Sequence, residues 1–192
     1  LGDGSKGMFP EWFRPEKAED GSYFMLDHHG MVMSRMAHGG NCFDQTLFPW
    51  EQGYPSDFNK IAEAFKSINW TAHSHTKYIN IDDGELRRRT VQLRETTDRA
   101  IVMSGGAKLL ELGFFLRRMD NMLMDLLADH ENLAKLLDKL MEMHLAGVEK
   151  KINAVGDLVD VIRFGDDLGM TTGPFMDLDV FRKFFKPRYR EL

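Results

Sequence analysis

Residues 159–174 read VDVIRFGDDLGMTTGP: a short apolar run, then two adjacent carboxylates, Asp166 and Asp167, then a loop bounded by Gly165, Gly169 and Gly173. The apolar run predicts a short strand over Val159–Phe164. A strand that delivers acids into a glycine-rich turn at its C-terminal end is how parallel α/β folds place their chemistry. The stretch therefore points to an α/β enzyme.

Upstream of it, Leu133, Leu136, Leu137, Leu140 and His144 mark one face of a long helix, with Lys135, Asp138, Lys139, Glu142 and Lys150 on the other. Asp129 is its expected N-cap, and Gly156 closes the connection to the strand. Further upstream, Ala100–Ser104 (AIVMS) predicts another buried strand, ended by Gly105-Gly106, followed by helices over 108–115 and 121–127. Downstream, Asp177 is placed to cap a helix over 180–185 that Pro187 disturbs. Strand, helices, strand, helix is the order that gives parallel strands with crossover connections. A complete (β/α)8 barrel takes about 250 residues, so the expected architecture is a partial TIM barrel, its N-terminal part. The chain opens on Leu1, and the amphipathic pattern of 180–192 still runs at Leu192. Both ends are therefore expected to be incomplete.

Residues 1–55 differ in character, being rich in Gly, Pro, Met and aromatics. Asp20-Gly21 and His29-Gly30 punctuate two short strands, over 22–27 and 31–36, and the region is expected to be a small β-rich extension before the barrel part, 56–192. Helical spacing begins with Phe58, Ile61, Ala62 and Phe65 behind Ser56 as N-cap. Residues 84–98 predict a polar, mostly solvated helix.

Composition excludes several classes. With 43% hydrophobic and 29% charged residues the chain can build a core. No run approaches the ~18 apolar residues of a membrane span, and no basic, then apolar leader opens it, so a cytoplasmic protein is expected. Cys42 is the single cysteine, which rules out an internal disulfide or a CxxC site. A net charge of −5 gives no polycation for a phosphate backbone, and Arg87-Arg88-Arg89 falls in a helix beside Glu85 and Glu95, so nucleic acid is not an expected partner. Gly2-x-Gly4 and Gly105-Gly106 lack the context of a dinucleotide or P-loop motif. Ser34 and Ser104 lie in no nucleophile elbow.

The run FGDDLGMTTGPFMDLDVFRKFFKPRYREL, with RMDNMLMDLLADHENLAKLL upstream and SYFMLDHHG and LFPW near the start, resembles the uroporphyrinogen decarboxylase superfamily. It is more narrowly similar to the decarboxylase-like branch that holds cobalamin-dependent methyltransferases. The resemblance covers nearly the whole chain, is strongest from about Ala100 onward, and implies a distorted (β/α)8 barrel. For the decarboxylases it sets Gly106-Ala107 on a Gly-Ala-Pro-Trp segment and Phe114 where a tyrosine follows, so that hydroxyl is missing. The arginine and aspartate that open those enzymes have no match. For the methyltransferases it implies a zinc held by His-x-Cys and a distant Cys, all from a second half of the barrel that these residues do not include. That zinc would bind a thiol acceptor, with a methyl-corrinoid as donor.

Asp166 and Asp167 are the candidate catalytic residues, as carboxylates that orient substrate, accept hydrogen bonds or act as a base; the alternative for either is a cap on the loop backbone. Treating Asp166 as a site residue predicts that Asp166→Asn lowers turnover more than stability. Thr171, Thr172 and Gly173, with hydroxyls and close backbone approach, and Phe114 are the candidate substrate-binding residues. No metal site is expected. His28-His29 reads as a solvated turn, His73-x-His75 lacks a third ligand, and His144 reads as a hydrogen-bonded core residue. The 13 methionines, among them Met31, Met33, Met119, Met122 and Met124, suit either a core or an adaptable surface for a bulky apolar ligand.

Three functions are thereby expected, in order. The first is methyl transfer from a methylated corrinoid protein to a thiol or pterin acceptor. The second is decarboxylation of tetrapyrrole acetate side chains, without a cofactor. The third is a non-catalytic module that binds a corrinoid or porphyrin. The residues do not determine an oligomeric state.

Overall fold

A computed structural model of the protein describes residues 14–27, 29–68 and 82–192. The extension is a four-stranded antiparallel sheet in the order β1 (Glu16–Lys17), β2 (Tyr23–Leu26), β3 (Val32–Met36), β4 (Asp44–Gln45). The expected hairpin is there, with Asp27 Oδ1 accepting the amides of His29 and Met31 at 2.8 Å to close its turn. Gly21 and Gly30 each take φ of +79°, the conformation glycine adopts at least cost. The two-residue outer strands β1 and β4 carry too little pattern to predict. Met25 and Met33 form a small core under Phe43 and Leu47.

A 3₁₀ turn (Phe58–Lys60) leads into α1 (Ile61–Ser67). Its cap is Asp57, whose carboxylate accepts Asn59 N at 3.0 Å, rather than Ser56. Ile61, Ala64 and Ile68 face the core, while Ala62 is exposed, so the buried face is rotated from the expected one. Helix α2 (Asp83–Thr96), capped by Asp82, buries only Thr90. Arginines tether it: Arg87 makes paired 2.7 Å bonds to Asp157 and one of 2.8 Å to Ala154 O, and Arg94 bonds Asp160 and Leu158 O.

Then come β5 (Val102–Gly106), α3 (Leu110–Arg117), α4 (Met119–Ala128), α5 (His130–Val155) and β6 (Val161–Phe164). Strands β5 and β6 pair in parallel, with Val102 opposite Val161 and Ser104 opposite Arg163, as the alternation of elements predicts. The glycine pair belongs to β5 instead of ending it. A Cβ at Gly105 would come within 2.3 Å of the Phe164 ring, so the bare glycine admits that side chain. Val102, Ser104, Val161 and Arg163 are exposed on one face; Met103, Ile162 and Phe164 between them are partly covered.

Helix α5 runs for 26 residues behind the Asp129 cap, which accepts Asn132 N at 3.2 Å. Leu133, Leu136, Leu137 and Leu140 are fully buried, each worth about 1.5–3 kcal/mol. They pack with Trp50, Ile61, Leu110, Leu116, Met122 and Phe185 in one core. After β6, the tight hairpin β7 (Gly169–Met170) and β8 (Gly173–Pro174) precedes α6 (Leu178–Val180), a π turn (Phe181–Phe185) and α7 (Lys186–Tyr189). The chain thus stays helical past Pro187, which falls in the first turn of α7, where a proline is tolerated. Among the described residues no sheet closes on itself, and no helix is long and apolar enough to cross a membrane.

Candidate functional site

The turns that leave β5 and β6 lie side by side, because parallel strands end at the same edge: Gly165 N donates to Gly106 O at 3.1 Å. From the β6 side, Asp166 reaches across to α3. Its Oδ2 accepts the amides of Leu109 and Leu110 at 2.7 Å each, and its Oδ1 those of Glu111 at 3.0 Å and Asp167 at 2.9 Å. The Tyr189 hydroxyl donates to Oδ2 at 2.5 Å. Five donors occupy a group with about four lone-pair positions. The carboxylate therefore caps the N-terminus of a helix that starts more than fifty residues earlier, where amides and helix dipole both favour negative charge. Burial and then the neighbouring Asp166 charge push the Tyr189 phenol far above its usual range, so it stays a donor.

Asp167 is exposed, and its carboxylate has no hydrogen-bond or ion-pair partner among the described residues. The two acids thus have different environments despite adjacency. Asp166 is committed to backbone; Asp167 is open to solvent.

The other expected residues lie elsewhere. A groove of about 570 Å³ runs between Leu123, Leu126 and Leu127 of α4 and the Met170–Asp177 segment. Thr172 and Gly173 line it; Thr171, at the hairpin tip beside Thr172, does not. Gly173 has φ of +156°, which a side chain would strain. Phe114 is not on the groove surface but stands edge-on behind Phe175, ring centres 5.5 Å apart, and supports that wall. Neither Asp166 nor Asp167 lines the groove. Asp177 is the N-cap residue of α6 but makes no side-chain cap bond, and among the described residues it is the only charged one of the lining.

His144 is half-buried and hydrogen-bonded, as expected: its ring meets Ala107 N and Lys108 O, each at 3.4 Å. His29 lies in the exposed hairpin turn. His28, His73 and His75 fall outside the described residues, as does Gly2-x-Gly4. The named methionines divide between core and surface. Met33 and Met122 are buried, and Met31, Met119 and Met124 are exposed.

Two arrangements escaped the sequence reading. Tyr189 sits within the quoted FFKPRY run, but only the fold brings it to Asp166. The buried pair Arg117–Asp125 has Nε···Oδ2 at 2.9 Å, with Tyr54 donating to the same oxygen at 2.7 Å and Arg117 over the Tyr54 ring at 4.4 Å. Arg117 also binds Trp50 O at 2.5 Å, fastening the 50–54 segment to α3 and α4. Burial, then the Asp125 bond, pushes the Tyr54 phenol up.

Among the described residues no three His, Cys, Asp or Glu side chains converge as metal ligands. No protein-family model matches the chain, and no curated protein or solved structure matches it either.

Proposed function

We propose that the chain forms part of a uroporphyrinogen-decarboxylase-type barrel enzyme, cytoplasmic in location, that moves a methyl group from a methyl-corrinoid to a thiol or pterin acceptor. The observation that carries this reading is the parallel β5/β6 pair, whose C-terminal ends bring the Gly106-Ala107 turn and the Asp166-Asp167 pair together at one edge. That edge is where barrels of this architecture hold their sites. Two parallel strands with one exposed face, bearing Val102 and Val161, make a marginal sheet alone, which supports their belonging to a larger one.

In this reading Asp167 is the carboxylate that meets substrate, and Asp166 fixes the loop from which it projects. Thr172 and Gly173 serve an apolar ligand edge in the groove, backed by Phe114 through Phe175. A zinc that binds the thiol acceptor belongs to the family resemblance; the described residues offer it no ligand set, and no step is derived through it. Methyl transfer to a thiol forms a carbon–sulfur bond, releases the thiol proton to solvent and leaves the corrinoid demethylated with both bonding electrons.

Decarboxylation of a tetrapyrrole is the second reading. It requires cations for the substrate's many carboxylates. Among the described residues the one charged side chain lining the groove is an acid, Asp177, and Phe114 lacks a phenol, so methyl transfer is favoured. A non-catalytic corrinoid- or porphyrin-binding module is the third.

The full-length protein, incubated with methylcobalamin and 2-mercaptoethanol, should consume the methyl-corrinoid spectrum and yield the methyl thioether. Uroporphyrinogen consumed with release of carbon dioxide instead would establish the second reading. Corrinoid binding without either reaction would establish the third.

A further inference from the structure

The turn between β5 and α3 is held in an uncommon conformation. Gly106 and Ala107 take consecutive positive φ values of 88° and 72°, and Ala107 is a buried residue with a Cβ. Such a conformation persists only where neighbouring groups hold it. Beside Gly165, whose amide donates to Gly106 O at 3.1 Å, the neighbour is His144 of α5, whose Nδ1 lies 3.4 Å from Ala107 N and would lie 3.2 Å from a Cβ at Gly106. Since Ala107 N–H can only donate, Nδ1 accepts, and the ring proton is on Nε2, which donates to Lys108 O at 3.4 Å. The next three amides, Leu109, Leu110 and Glu111, are those that Asp166 caps.

We propose that His144 is a proton-operated latch on this turn: the neutral ring accepts the Ala107 amide and keeps the α3 N-terminus seated on Asp166, and the protonated ring, with an N–H at both nitrogens, releases it. The inference rests on the turn geometry and is independent of the reaction assigned above. Among the described residues the charged groups facing the ring are Asp166 from the loop after β6, which favours the cation, and Lys151 from α5, which opposes it. The Lys108 carbonyl also favours protonation, while the Lys108 ammonium is engaged with Glu111 at 2.6 Å. Burial outweighs them and pushes the ring below the usual histidine range, so the latch is closed at neutral pH and opens on acidification.

The test is amide hydrogen exchange of the full chain from about pH 7.5 to about pH 5, corrected for intrinsic rates, beside the NMR titration of the His144 ring. Protection of Ala107, Leu109, Leu110 and Glu111 should fall at least about fivefold, the loss of roughly one hydrogen bond, in step with that ring. In His144→Gln the same protection should not vary with pH. Protection that stays flat while the ring titrates, a drop that survives in His144→Gln, or a proton on Nδ1 at neutral pH would each overturn the latch. Should His144→Gln fail to fold, the wild-type ring tautomer and the coincidence of the two transitions decide alone.

Discussion

The Tyr189 hydroxyl and the Asp166 carboxylate meet at 2.5 Å, joining the C-terminal helix to the loop after β6 through an oxygen that also holds two amides of α3. One side chain thereby ties together three parts of the chain: the β6 loop, the start of α3 and the end of α7. Tyr189 stacks obliquely on Phe181 and Phe185, which carries the tie into the core. The neighbouring Asp167 remains exposed.

The two aspartates should therefore separate stability from activity. Asp166→Ala leaves three α3 amides without their acceptor and should cost about 1–2 kcal/mol, the usual worth of a helix cap. Asp166→Asn keeps one acceptor oxygen and loses the charge that favours a helix N-terminus, so it should cost less than Asp166→Ala. Asp167→Asn should leave stability within about 0.5 kcal/mol while lowering the proposed methyl transfer by about tenfold or more. Urea unfolding beside the methylcobalamin assay measures both. Unchanged stability in Asp166→Ala would show that the cap contributes little.

The Arg117–Asp125 pair is some nine-tenths buried, so removing one partner strands the other charge in the core. Asp125→Ala should destabilise by about 3–5 kcal/mol, and replacing both partners by apolar residues of similar volume should cost less than that single change. A double-mutant cycle in urea gives the coupling. Independent, additive effects would show that the two charges do not depend on each other.

Acid should destabilise the protein in two steps. Burial holds His144 below its ordinary 6.5 in the fold, so the unfolded chain binds more protons and stability is lost as pH falls from about 6.5 toward the folded value. Hydrogen bonds from Arg88 and Arg89 hold the Glu85 carboxyl down to about 2, and the pair from Arg118 does the same for Asp120. These groups are depressed, so their contribution is complete above about 4.5 and disappears as pH falls toward 2. Because those pairs are exposed, about 1 M salt should flatten the lower step and leave the upper one. Urea midpoints against pH at two salt concentrations check this; a salt-sensitive upper step would assign it to groups other than His144.

What was legible in the sequence was local or periodic. Leu133, Leu136, Leu137 and Leu140 reveal α5 because a 3.6-residue repeat needs no knowledge of the rest of the fold, and the cap at Asp129 sits where the repeat begins. The alternation of elements likewise anticipates the parallel pairing of β5 and β6. The same reasoning could not see that Asp166 caps α3, since its partners lie more than fifty residues away. Nor could it pair Arg117 with Asp125: an eight-residue separation matches no helix-surface neighbour, and the contact requires the left-handed turn at Arg118, φ 67°, between α3 and α4. The candidate site was accordingly legible as a set of residue types, but not as two separate places, a capped loop and an apolar groove.

Gly105 tests the β5/β6 geometry most directly. Read locally, Gly105-Gly106 is a strand terminator, and alanine at 105 would be harmless or mildly stabilising through the unfolded chain. In the fold its missing side chain is the space filled by the Phe164 ring, which an added Cβ would approach to 2.3 Å. Gly105→Ala should therefore cost about 1–3 kcal/mol, the range for overpacking. Phe164→Leu in the same chain removes the atoms that collide and should recover part of that loss, although Phe164→Leu alone destabilises. Urea unfolding of the two single variants and the double variant measures the coupling. Strictly additive losses would mean that β6 does not lie in this register beside β5, and the shared edge on which the candidate site depends would fall with it.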